Sequence, residues 1–219
     1  MSSSFSPRTP DPDFPAEGAE VGSLLLEEIR RAISSRLTAH HQRVSAMSQK
    51  LALHLGLTPA EAAEIGSAGS LHDIGMALLP DELLDHRGPL SMREKQLLNQ
   101  HSSWGGSILD MAGGLGLSAV VALQHHERWD GSGYPFGLAG EEICLAARIV
   151  AICAVYDALR NPRPGKAPLD HERAVRVLRE GDDLSHAIAF DPAILETFER
   201  FGGEFRDIVD GDGGRALAA

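Results

Sequence analysis

Two cysteines in 219 residues give this chain neither a disulfide framework nor a thiolate zinc cluster. Cys144 and Cys153 both fall within an apolar run and read as buried core thiols. Basic charge is also scarce: 20 Lys and Arg stand against 31 Asp and Glu, a formal net charge of -11. That balance argues against nonspecific nucleic-acid or membrane-surface binding, since both use a basic field. An anionic substrate would need local compensation by metals or by a few arginines and lysines. No apolar run reaches the roughly 18 to 20 residues needed to cross a bilayer. Residues 1–20 also lack the basic start and apolar centre of a signal peptide. The expectation is a soluble, cytoplasmic protein with no DNA, RNA or membrane partner.

A hydrophobic content of 43% over this length supports one full-sized core. Residues 1–20, rich in Ser, Pro and acidic side chains, read as a flexible tail, and residues 210–219, largely Asp, Gly and Ala, as another. The folded domain is expected over residues 21–209. No receiver or sensor domain of ordinary size is expected within these residues.

Within that span the pattern is helical. Leu25, Ile29, Ile33 and Leu37 recur every four residues, and Val44, Met47, Leu51 and Leu55 follow at spacings of three and four. Gly56 is placed to end the second segment. Thr58-Pro59-Ala60-Glu61 and Ser91-Met92-Arg93-Glu94 are capping boxes, while Asp170 and Asp191-Pro192 are further helix starts and Gly181 a stop. Residues 143–155 are long and alanine-rich enough to favour a buried helix over a strand. The fold class expected is all-α, a compact multi-helix bundle with no internal repeat.

The most unusual stretch is HHERWDGSGYP, residues 125–135. Val120, Val121 and Leu123 suggest a buried helix leading in, and Gly131, Gly133 and Pro135 then force a tight loop. Taken locally, a histidine pair is more often structural or surface than metal-bound. Its weight comes from spacing: His40, His72-Asp73, His101 and His125-His126 each lie on a different predicted helix or helix end, as a site inside a helical bundle requires. His41, His54, His86, His171 and His186 form the comparison set and read as structural or surface.

The order H-x-x-R-V at residues 40–44, HDIG at 72–75, H-x-x-x-G at 101–105 and then HHERWDGSGYP resembles the HD-GYP family of HD phosphohydrolases. The similarity continues through RIVA (148–151), YDAL (156–159) and FDP (190–192), so it covers roughly residues 37–192. It implies a helical bundle holding a metal site between helices, with divalent ions, often iron or manganese, one or two per chain here. It also implies hydrolysis of the messenger cyclic di-GMP to linear or mononucleotide products. By resemblance, His40, His72 and Asp73 serve one metal, and Asp73 bridges to a second held by His101, His125 and His126. Asp73 is also the catalytic candidate, orienting the attacking hydroxide. Imidazole and carboxylate donors without thiolate suit iron, manganese or zinc, and paired ions activate water and neutralise charge at phosphorus. Substrate contacts are implied at Tyr134, Asp157, Arg163 and Lys166, with Asp157 also open as a substitute metal ligand. Trp129 reads as a packing anchor.

Three departures from the family pattern bear on activity. Met76 stands where a lysine is usual, Ala154 where a metal-binding aspartate is usual, and Arg36 where members with a third metal carry glutamate. The first expectation is therefore a metal-dependent cyclic di-GMP phosphodiesterase with a weakened first metal site. The alternative is a degenerate member that binds nucleotide or a partner such as a diguanylate cyclase domain without efficient turnover. A phosphohydrolase acting on another nucleotide ranks third, and the sequence leaves the oligomeric state open.

Overall fold

The computed structural model describes residues 39–112, 116–162, 166–182, 185–186 and 189–211. The helix expected around Leu25 to Leu37, Arg36, Arg163 and most of both tails lie outside these. Helix α1 covers 39–54 and buries Val44, Met47 and Leu51 completely; the chain leaves it through Gly56 at φ +87°, a conformation that favours glycine.

Both capping boxes form. The Thr58 hydroxyl accepts from the Glu61 N–H while Glu61 accepts from the Thr58 N–H, opening α2 (Pro59–Gly69). Ser91 and Glu94 repeat this at the start of α4 (Met92–Met111), which carries His101. Each such cap is worth roughly 0.5–2 kcal/mol. Between them lie a 3₁₀ turn (Ile74–Leu78) and the short α3 (Asp81–Leu84). Helix α5 (Gly116–Gln124) leads into the histidine pair. A second 3₁₀ turn (Gly140–Glu142) precedes α6 (Leu145–Arg160), then α7 (His171–Glu180), α8 (Pro192–Arg200) and α9 (Gly202–Asp210). Asp170 and Asp191 cap α7 and α8 as expected, and Gly181 ends α7 at φ +79°. Extended pairs among the described residues include a two-residue hairpin, β1 (Gly181–Asp182) with β2 (Ser185–His186), and a bridge between Asp130 and Ala139. The fold is all helical.

Helix α6 is the central element. Ile149, Val150, Ile152, Cys153 and Tyr156 are buried along it, so the apolar run does form a core helix. Helix α2 approaches α1 through small residues: a side chain on Gly66 would meet Gln49 Cβ at 3.0 Å, and one on Gly69 would meet Ser48 Oγ at 3.3 Å. Phe198 stacks on Phe205 with ring centroids 4.3 Å apart and meets Tyr156 edge-on, closing α8 and α9 over α6. Burying each such aromatic contributes roughly 1.5–3 kcal/mol. Cys153 is a core thiol, but Cys144 sits at the N-terminal cap of α6 and is only half-buried. Asp210 ends α9 and pairs with Arg160 at 2.6 Å. Among the described residues no helix is long and apolar enough to cross a membrane.

A smaller cluster of Ile74, Ile108, Leu109 and Ala122 locks the first 3₁₀ turn against α4 and α5. This contact places Asp73 beside His101 and His125.

Candidate metal centre

Asp73 is the N-cap of the 3₁₀ turn and faces two groups of histidines. Its Oδ1 lies 3.3 Å from His101 Nε2 and 3.4 Å from His125 Nε2; its Oδ2 lies 3.2 Å from His72 Nε2 and 4.0 Å from His40 Nε2. Two sets of potential ligand atoms result, each within a span of 4.8 Å: Asp73, His101, His125 and His126 in one, His40, His72 and Asp73 in the other. All six residues that the sequence singled out as metal ligands come together, from α1, the turn after α2, α4 and the end of α5.

The far side of each ring determines what the near side can do. His72 Nδ1 meets the Gly69 carbonyl at 2.8 Å, His101 Nδ1 that of Leu98 at 2.7 Å, and His125 Nδ1 that of Ala122 at 2.9 Å. A carbonyl only accepts, so these Nδ1 atoms donate; a ring that is protonated also donates from Nε2 to Asp73, and one that is neutral turns its Nε2 lone pair there instead. Lone pairs crowded around a carboxylate suit a cation between them, and the oxygen and nitrogen donors suit a divalent one.

The ionisation pattern follows from the same crowding. Burial alone would raise the Asp73 carboxyl, but the charge on His72 and hydrogen bonds from His101, His125 and His72 outweigh it and hold it well below the usual carboxylate range. Burial opposes a charge on His72 too, yet Asp73 overrides it and raises that imidazole. Burial lowers His125 against the opposing hydrogen bond to Asp73, and burial together with the adjacent His125 pushes His126 well down. Neutral imidazole is the form that ligates metal.

The loop after His126 is built to hold this geometry. The buried Glu127 carboxylate accepts from the Phe136 N–H at 2.7 Å and the Leu138 N–H at 3.0 Å, tying the loop back on itself. Gly133 passes so close that a side chain there would lie 2.4 Å from the Arg128 nitrogen, and Tyr134 N–H reaches the His126 carbonyl. Tyr134 then stacks on His126, ring centroids 4.7 Å apart at 23°. Its hydroxyl stays protonated, since burial and then the charge of Asp73 raise its pKa. Trp129 packs beneath Arg148, which also pairs with Asp191 at 2.6 Å.

A pocket of about 610 Å³ opens over Asp73, with His40, His126, Met76, Ala154 and Asn161 among its walls. Met76 and Ala154 therefore face the site without offering a charge or a metal donor. Asp157 also borders the pocket, but its side chain is 1% exposed and its oxygens are engaged by Arg43 and His40. Lys166 is exposed and Arg163 lies outside the described residues; Pro162, next to it in sequence, lines the pocket. In the comparison set, His54 stacks on Phe201 and His171 meets Tyr156, while the His41 ring lies 5.5 Å from that of His72. Arg43 and Glu127 fall within the sequence motifs, which assign neither of them a role. The signal for Arg43 was its i+3 spacing from His40 on one helix face.

The chain belongs to the HD domain family, whose model matches residues 25–194. Its sequence is similar to a cyclic di-GMP phosphodiesterase of Thermotoga maritima, 37% identical over 198 residues, covering 90% of this chain and 52% of the relative. It is likewise similar to cyclic di-GMP phosphodiesterase PA4108 of Pseudomonas aeruginosa, 39% identical over 181 residues, covering 82% and 42%. A third relative is 3'3'-cGAMP-specific phosphodiesterase 2 of Vibrio cholerae, 34% identical over 191 residues, covering 85% and 36%. The chain spans about half, or less, of the length of these curated relatives. Among solved structures it resembles Bd1817, an HDG"Y"P protein from Bdellovibrio bacteriovorus, with TM-score 0.62 and 19% identity over 89% of this chain and 61% of that one. That likeness establishes the shared fold.

Proposed function

We propose that this domain is a metal-dependent phosphodiesterase that hydrolyses cyclic di-GMP. The observation that carries the reading is Asp73, whose two oxygens face two separate sets of histidine nitrogens at the head of an open pocket. Similarity to relatives named for cyclic di-GMP phosphodiesterase activity supports the substrate. Iron or manganese fits the donor set, which contains imidazole and carboxylate without thiolate. Such ions, when bound, supply Lewis acidity toward phosphate oxygen and an activated water.

The protein's own part is placement. Backbone carbonyls orient three imidazoles, Tyr134 backs a fourth, and Asp73 spans both groups. His72, His101 and His125 are at most 3% exposed, which limits bulk water behind the site, while the Asp73 side chain is 17% exposed and open toward the pocket. Arg163 and Lys166 follow the pocket-lining Pro162 in sequence and are the cations this reading assigns to the diester phosphates. The two free thiols fit a cytoplasmic setting.

A second reading has specific support: Met76 and Ala154 put apolar side chains on the pocket wall. On that reading the domain binds metal and a cyclic dinucleotide, or a diguanylate cyclase domain, with little turnover. Anaerobic purification, loading with iron or manganese, and a product assay on cyclic di-GMP and 3'3'-cGAMP separates the two. The phosphodiesterase reading expects linear or mononucleotide products from cyclic di-GMP. Full metal loading with an intact substrate supports the binding module instead.

A further inference from the structure

His40 is held differently from His72, His101 and His125. Nδ1 of His72, His101 and His125 rests on a backbone carbonyl of its own segment, three positions earlier in the chain. No side-chain substitution can remove such a partner. His40 Nδ1 instead meets a side chain 117 residues away, Asp157 Oδ2 at 2.7 Å, while its Nε2 faces Asp73. Asp157 is fixed in turn by Arg43, whose Nε donates to Oδ1 at 2.5 Å and whose guanidinium donates to Oδ2 at 2.9 Å. Asn161 binds the Asp157 backbone carbonyl at 2.9 Å. A carboxylate paired with arginine only accepts, so the proton shared with His40 belongs to His40 Nδ1.

His40 also belongs to the more fragile ligand set. With no donor from Ala154, that set consists of His40, His72 and Asp73, and Asp73 is shared with the other. Misplacing His40 leaves two donors. We propose that Asp157 is a positioning residue for the metal centre: it fixes His40 in the Nδ1–H tautomer with Nε2 free to ligate, and thereby sets the affinity of the three-donor site through His40. The metal-affinity part of this proposal rests on the metal-centre reading above; the tautomer part does not. Removing a partner of this kind costs about 10- to 100-fold in metal affinity.

The test has two readouts on the full chain. Long-range imidazole ¹⁵N–¹H correlation spectra of the metal-free, ¹⁵N-labelled protein report the His40 tautomer, assigned by difference against His40→Gln. A Mn²⁺ titration followed by electron paramagnetic resonance reports the two affinities. Wild type is expected to carry the His40 proton on Nδ1. Asp157→Ala is expected to shift it to Nε2 and to weaken the looser Mn²⁺ site about 10- to 100-fold, leaving the tighter site within about twofold. Asp157→Asn, nearly isosteric, guards against a folding defect and is expected to move both readouts in the same direction by less. A wild-type His40 protonated on Nε2, or an unchanged tautomer and unchanged looser site in both variants, would overturn the proposal. If wild type bound no Mn²⁺, the metal-centre reading would fall, while the tautomer comparison would still decide whether Asp157 positions His40.

Discussion

The backbone carbonyl of His101 occupies the space where a side chain at position 75 would begin: a Cβ on Gly75 would lie 2.0 Å from that oxygen and 2.6 Å from the Gly105 nitrogen. The last residue of HDIG is thus the contact that lets Asp73 and His101 reach one another. Replacing it must separate the 3₁₀ turn from α4. Gly75→Ala is expected to destabilise the metal-free domain by about 1–3 kcal/mol, the usual cost of forcing extra volume into a packed site, and to lower metal content. Urea denaturation checks the first part, and a change below about 0.5 kcal/mol would contradict it.

Glu127 gives a second prediction. Its carboxylate is the acceptor for the N–H groups of Phe136 and Leu138. Glu127→Ala leaves both donors without it and is expected to cost about 1–3 kcal/mol, with faster hydrogen exchange at those two amides. Unchanged exchange there would show that the loop is held by something else.

Tyr134 separates stacking from hydroxyl chemistry. Tyr134→Phe retains the ring on His126, whereas Tyr134→Ala removes it. Aromatic pairs of this kind contribute about 0.5–1.5 kcal/mol beyond area burial, so Phe should preserve stability and metal affinity and Ala should lower both. Equal losses in the two variants would move the role from the ring to the hydroxyl.

The cysteines should react at very different rates. Burial raises the Cys153 thiol to about 12, while Cys144 is half-buried at a helix cap. Only the thiolate is nucleophilic. Iodoacetamide at pH 8 is expected to alkylate Cys144 in the native domain and Cys153 only after unfolding, as peptide mass spectrometry would show. Equal labelling in the native state would contradict the packing of α6.

Acid sensitivity has a local contributor at His171, whose Nδ1 lies 2.7 Å from the Tyr156 hydroxyl. Burial, ahead of weaker opposing charge effects, lowers its pKa from 6.5. The unfolded chain therefore takes up this proton at a higher pH than the folded one. The stability involved is complete above the unfolded pKa and is lost as pH falls below it toward the folded value. With metal chelated, the wild-type Tm should drop more between about pH 7 and pH 5.5 than that of His171→Gln. Parallel pH curves would contradict this.

Much of the fold was legible because its signals are local. Thr58 with Glu61 and Ser91 with Glu94 mark helix starts within four residues, and Gly56 and Gly181 mark stops by the backbone angles they adopt. The ligand candidates were legible because imidazoles recur on successive helices. What the sequence hid is long-range. Asp157 reads as a substrate or metal contact one turn from Ala154, and only the fold brings α1 across to occupy it with Arg43 and His40. The approach of Gly75 to Gly105, and the Arg148 link to Asp191, are likewise products of packing.

If Asp73 serves both ligand sets, its removal must empty both, and the metal content of each chain shows whether it does. Wild type and Asp73→Ala, purified anaerobically, loaded with iron or manganese and desalted, would be compared by inductively coupled plasma mass spectrometry. Between one and two ions are expected per wild-type chain, with near-complete loss of both sites in the variant. A variant that folds and keeps the wild-type metal content would contradict it.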